Sequence, residues 1–172
     1  PLSLYLKLAN QPYSYLLESV QGGERFGRYS FIGLPADTRI TVRGNHITLT
    51  HPSGETAHDA DNPLDFIKEY QSRFKVAPLP GLPRFTGGLA GYFGYDTVRY
   101  IEPRLAQTHK PDVLCTPDIL LMLTEQLAVV DNLSGMLTFI VYANPEQANA
   151  YTLARQRLDE LLRLLRRPVE VP

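Results

Sequence analysis

The sequence predicts an α+β fold built on antiparallel sheets, and three features predict it. Stretches of alternating apolar and polar residues meet at tight-turn dipeptides, single helices interrupt groups of strands, and an amphipathic helix lies near the end. Regular alternation of strand and helix, the mark of a doubly wound nucleotide fold, is missing.

Taken in order, Tyr13 to Leu17 and Tyr29 to Leu34 read as strands joined by a loop at Gly22 and Gly23. In DTRITVRGNHITLTH, Ile40 and Val42 point one way, as do Ile47 and Leu49, and Gly44-Asn45 separates the two runs. That is a hairpin with one buried face, and the four strands together predict a meander. Asn62-Pro63 then opens a helix with proline in its first turn, and Leu64, Phe66, Ile67 and Tyr70 recur at helical spacing. It stops before APLPGLPR, a stiff proline-rich connector. In TGGLAGYFGYD, Gly87, Gly88, Gly91 and Gly94 are expected to let a strand or turn approach another backbone closely, with Tyr92, Phe93 and Tyr95 packing around it. DILLMLTEQLAVVD and MLTFIVYA, on either side of Asn132-Leu133-Ser134-Gly135, predict a second, longer hairpin. From Pro145 to Arg167 the chain predicts a helix with Ala154, Leu158, Leu161, Leu162 and Leu165 on one stripe, ended by Pro168.

The totals suit this picture. At 172 residues the chain has the length of one domain, and 44% hydrophobic, 20% charged and 10% aromatic residues are ordinary for a soluble globular protein. A net charge of −1 supplies no field to gather nucleic acid or an anionic membrane surface, so neither is expected as a partner. No segment is a candidate membrane span, no secretory signal is evident, and one cysteine excludes an intrachain disulfide; a cytoplasmic location is expected. The start at Pro1 and the stop soon after a strong helix suggest a piece of something longer.

Chemistry-bearing patterns are few. The glycines of TGGLAGYFGYD lack both phosphate-loop and dinucleotide spacings. Histidines 46, 51, 58 and 109 have no ligand spacing, Asp59 and Asp61 are placed in a polar loop, and Cys115 is expected to be a small half-buried hydrophobe. No nucleophile and base stand together, and no catalytic site is predicted. Glu18 and Ser19 close an apolar strand, where polar groups are exposed, cap a turn, or line a pocket whose ligand satisfies them. An apolar wall of Leu16, Leu17 and nearby aromatic residues beside a hydroxyl and a carboxylate would suit a small amphiphile.

YSYLLESVQGGERFGRYSFIGLPA, then FTGGLAGYFGYDTVRYIEP, then PDILLMLTEQLAVVDN, in this order, resemble the N-terminal region of anthranilate synthase component I, over nearly the whole chain. The large component of aminodeoxychorismate synthase shares the layout and is the alternative reading, with a purely structural half-sandwich as a third. The resemblance implies antiparallel sheets packed orthogonally with flanking helices, and residues 1–172 as a single N-terminal regulatory domain without the C-terminal chorismate-binding catalytic domain. It implies that Leu17, Glu18 and Ser19 match the family's feedback site for L-tryptophan, and that Arg28, Tyr29 and Ser30 match the facing strand that helps close it. It also implies a parent enzyme converting chorismate and glutamine-derived ammonia to anthranilate and pyruvate. Mg2+ and the catalytic groups would then reside in the missing domain, and a glutamine amidotransferase component II would be the partner. A segment without that domain is expected to expose an apolar face and to self-associate.

Overall fold

A computed structural model describes residues 1–18, 27–102, 104–106 and 112–169 of the chain. The α-helices are α1 (Leu2–Leu8), α2 (Pro63–Ser72) and α3 (Ala150–Leu165), with a 3-10 turn at Tyr95–Tyr100; the strands are β1 (Tyr15–Leu17), β2 (Tyr29–Gly33), β3 (Arg39–Arg43), β4 (His46–His51), β5 (Gly54–Asp59), β6 (Gly88–Phe93), β7 (Ile119–Thr124), β8 (Gln126–Asp131) and β9 (Met136–Val141). The fold is α+β with two sheets, and the elements fall into two compact units.

The first unit comprises residues 1–36, 82–87 and 124–172 and holds a four-stranded sheet in the order β1-β2-β8-β9, antiparallel throughout. One face is the apolar layer of Ile32, Leu34 and Ala128, with Leu16, Leu137, Phe139 and Val141 at its margin, and it is closed by Leu8 at the end of α1, Ala9 just after it and Leu161 of α3. Burying a side chain such as Leu161 contributes roughly 1.5 to 3 kcal/mol. Lys7 Nζ donates to the Leu165 carbonyl at 2.8 Å, so a cation on α1 satisfies the open C-terminal end of α3. α1 has no side-chain cap and only 7 residues, which is why the sequence reading did not include it. α3 begins at Ala150, later than the expected Pro145, after a left-handed Asn149. Leu162, placed on the buried stripe by periodicity, is exposed, and Leu164 joins the layer in its place because the stripe is centred on Leu161.

The second unit, residues 37–81 and 88–123, holds a five-stranded sheet in the order β5-β4-β3-β7-β6. The β3–β4 hairpin forms as its alternation requires, with Arg43 opposite His46 across the Gly44-Asn45 turn. Ile40, Val42, Ile47, Leu49, Ile119 and Leu121 face one core, onto which α2 lays Ile67 and Tyr70. Asn62 caps α2 by accepting from the Leu64 amide at 3.0 Å, and Pro63 fills the first turn as expected. The glycine reading holds at Gly91, where a Cβ would collide with the Leu120 carbonyl, and at Gly94, where one would sit 3.0 Å from the Asp118 oxygen, but not at Gly88, where a Cβ would meet nothing within 4 Å.

Several expectations are corrected. The four early strands are no single meander, since β1 and β2 belong to one sheet and β3 and β4 to the other. The run 118–131, read as one strand, breaks at Glu125 into β7 and β8, which join different sheets. Both halves are near-continuous apolar runs on either side of Thr124-Glu125-Gln126, and nothing local says that they join different sheets. Asp59 lies in β5, a wholly exposed edge strand whose polar composition reads as loop, while Asp61 is in the connection to α2. Tyr92, Phe93 and Tyr95 are exposed and do not pack around the glycine crossing, and Cys115 is exposed with φ 51°.

Candidate functional site

The predicted site residues lie on β1, β2 and the stretch between them. β1 pairs with β2 so that Leu17 stands opposite Phe31, Leu16 opposite Ile32 and Tyr15 opposite Gly33. Residues paired across an antiparallel ladder share a face, and successive residues alternate. Leu17, Tyr29 and Phe31 therefore belong to one face, and Ser30 to the opposite face, towards the α1–α3 layer. Leu17 is 53% exposed, and Glu18, one residue beyond the strand, is exposed too. Ser19 lies outside the described residues, as does the Gly22-Gly23 loop.

On the Leu17 face the aromatic rings make a short series. Tyr29 and Phe31 have centroids 6.2 Å apart, and Phe31 meets Phe85 edge-on at 5.5 Å. The Tyr15 ring covers Gly33 so closely that any Cβ there would strike it, and its hydroxyl pairs with Thr124 Oγ1 at 3.0 Å. Burial raises the Tyr15 phenol above its ordinary pKa.

Arg28 and Ser30 are committed to the protein itself. Arg28 grips Asp131 through Nη2 at 2.8 Å and Nε at 3.2 Å, and its guanidinium lies 5.0 Å from the Tyr29 ring centre. Asp131 also accepts from the Leu133 and Ser134 amides of the β8–β9 turn. Hydrogen bonding by Arg28, aided by those amides, holds the Asp131 carboxyl well below the usual carboxylate range, and the same bond raises the Arg28 pKa. Ser30 is fully buried and receives a bond from Asn132 Nδ2 at 3.0 Å, while the same amide group donates to the Gly27 carbonyl at 3.2 Å. Asp131 and Asn132 are the residues that sequence reading missed; Asp131 stood at the end of a strand run and Asn132 in the turn after it, and their partners are about a hundred positions away.

The chemistry this arrangement offers is recognition: an aliphatic and aromatic surface, one exposed carboxylate at Glu18, and a cation whose charge Asp131 already neutralises. Among the described residues no group of three or more histidine, cysteine or acidic side chains could hold a metal ion. Nor, among them, is any helix long and apolar enough to cross a membrane.

No family model matches the chain. Proteins named anthranilate synthase component 1 do. That of Neisseria meningitidis is 56% identical, covering 100% of this chain and 36% of its own length, and that of Pseudomonas putida is 53% identical, covering 98% and 34%. The crystal structure of anthranilate synthase component I from Streptococcus pneumoniae superposes with a TM-score of 0.67 at 25% identity, over 98% of this chain and 35% of that one. The chain spans about a third of the length of the relatives it matches. Over that stretch, this chain is a homologue of the anthranilate synthase component I proteins.

Proposed function

We infer that this chain is the effector-sensing part of an anthranilate synthase component I, and that L-tryptophan is the effector. The observation that carries the reading is the exit of β1: Leu17, opposite Phe31, leads directly into an exposed Glu18 carboxylate. An aromatic amino acid requires an apolar surface for its indole, an acceptor for the ring N–H and polar partners for its ammonium and carboxylate. Leu17 and the Tyr29–Phe31 face supply the first, and Glu18 with Ser19 supplies the rest. Arg28 and Ser30, held by Asp131 and Asn132, keep β2 in place beside Leu17.

In the complete protein, chorismate and glutamine-derived ammonia are converted to anthranilate and pyruvate. The Mg2+ and the reacting groups belong to the remaining two thirds of such a protein, and a glutamine amidotransferase component supplies ammonia. Tryptophan inhibits by favouring one of two arrangements of the whole enzyme, to the extent that it binds that arrangement more tightly.

The test is anthranilate formation by the full-length protein with its amidotransferase, titrated with tryptophan, for wild type and Ser19→Phe. Inhibition of the wild type, with a half-inhibitory concentration raised at least tenfold in the variant by steric exclusion of the ligand, is the expected result. Wild-type activity that is flat to millimolar tryptophan overturns the sensing role, and a protein that makes no anthranilate belongs instead with the aminodeoxychorismate synthases. This chain contains no tryptophan, so the emission of added ligand reports binding to it directly.

A further inference from the structure

Asp131 does more than close a turn. Its Oδ1 accepts from the Leu133 and Ser134 amides at 3.0 and 3.4 Å, while both carboxylate oxygens face the Arg28 guanidinium. The turn therefore fixes the carboxylate, the carboxylate fixes the guanidinium, and the guanidinium lies against the face of Tyr29 at 5.0 Å. Register adds a second constraint, because Tyr29 stands directly opposite Asp131 and the Asn132 amide donates to the Arg28 carbonyl at 2.7 Å. An arginine 43% exposed on its own would sample many rotamers; one held by two nitrogens on a side chain only 12% exposed does not.

We propose that Asp131 is a positioning residue for effector recognition: by locking Arg28 over Tyr29 it sets the tilt of the aromatic face beside Leu17, and so tunes affinity for an aromatic amino acid without touching it. This rests on the sensing role proposed above. The acidic partner is required for its charge and fork-matching geometry, which a neutral amide of the same shape does not reproduce.

The experiment measures tryptophan inhibition of the full-length enzyme for wild type, Asp131→Asn and Val130→Ala. Val130 is the neighbouring β8 residue on the opposite face, paired with Ser30, and its truncation is the control for simple loss of stability. Asp131→Asn is expected to raise the half-inhibitory tryptophan concentration about tenfold, the scale of one charge-assisted hydrogen bond. Val130→Ala, even with an equal fall in melting temperature, is expected to leave that concentration unchanged. Should Asp131→Asn fail to fold, Arg28→Lys, which keeps the charge and loses the two-pronged grip, is expected to give the same rise. Equal effects of the position 130 and 131 variants, or a normal response in the variant that folds, overturn the positioning role while leaving the sensing role intact. A wild-type enzyme indifferent to tryptophan overturns both.

Discussion

The β3–β4 and β8–β9 hairpins are each fastened at the turn by an aspartate, and they differ in what that aspartate holds besides backbone. At the end of β8–β9, Asp131 accepts from turn amides and from the Arg28 cation. At the end of β3–β4, the Asp118 carboxylate accepts from the Gly44 amide at 2.6 Å and from the neutral Tyr100 phenol at 3.3 Å, which also donates to the Gly44 carbonyl at 2.6 Å. The same carboxylate-to-turn device is thus tied to a charge in one sheet and to a hydroxyl in the other. A charge partner makes the fastening sensitive to acid; a phenol makes it sensitive to base. The charged fastening is the one next to the candidate site, where side-chain orientation has to be fixed against solvent.

The largest expected effect tests whether the hairpins are otherwise alike. Ile47 of β4 is fully buried and Leu127 of β8 is 1% exposed, so Ile47→Ala and Leu127→Ala should each lower the unfolding free energy by about 2 to 5 kcal/mol in urea titrations. If one of them is tolerated, the hairpins differ at their apolar bases and the comparison of turns loses its footing.

Next in size is the response to pH, where the two fastenings should separate. Arg28 and the turn amides hold the folded Asp131 below the pKa of the unfolded chain, so its stabilisation is present above roughly pH 4 and is lost as pH falls below the carboxylate range. Burial, reinforced by the nearby Asp118 charge, pushes the Tyr100 phenol up to about 12. With the folded value above the unfolded one of roughly 10, that stabilisation is present at lower pH and is lost as pH rises through about 12. Asp131→Asn should therefore flatten only the acid limb of a urea-midpoint profile, and Tyr100→Phe only the alkaline limb. Loss of the same limb in both variants would show that the third partner is irrelevant.

Much of this architecture was legible in the sequence, and the legible part is local. Gly44-Asn45 between alternating runs, the Asn62-Pro63 helix start and the turn at 132–135 all specify themselves within a few residues. The break at Glu125 did not, because which sheet a strand joins depends on partners such as Phe31 for Val129 and Arg39 for Met122, distant in sequence. The polar strand β5 read as loop because its stability comes from pairing with β4 rather than from a buried face. At the candidate site, an exposed acid after an apolar strand could be read directly at Glu18. That Arg28 is engaged by Asp131, and Ser30 turned away from Tyr29, required the register of β2 against β8. Local chemistry names candidate residues, and only long-range pairing says which face each one serves.

The smallest expected effect isolates the turns' backbones from their fastenings. Gly44 has φ +55° and Gly135 φ +72°, and at both a Cβ would meet nothing within 4 Å, so an alanine there meets only the conformational cost of the left-handed region. Gly44→Ala and Gly135→Ala should each lose about 1 to 2 kcal/mol in urea titrations and keep the wild-type pH profile. The Gly135 amide donates to the Asp131 carbonyl at 2.8 Å, which makes that position the more informative one. If Gly135→Ala instead removes the acid limb, the turn's backbone positions the Asp131 carboxylate, and the charge partner acts only after the turn has closed. If the limb persists, the Leu133 and Ser134 amides and Arg28 hold the Asp131 carboxylate without help from Gly135, and the difference between the two hairpins resides in the side chains that meet their aspartates.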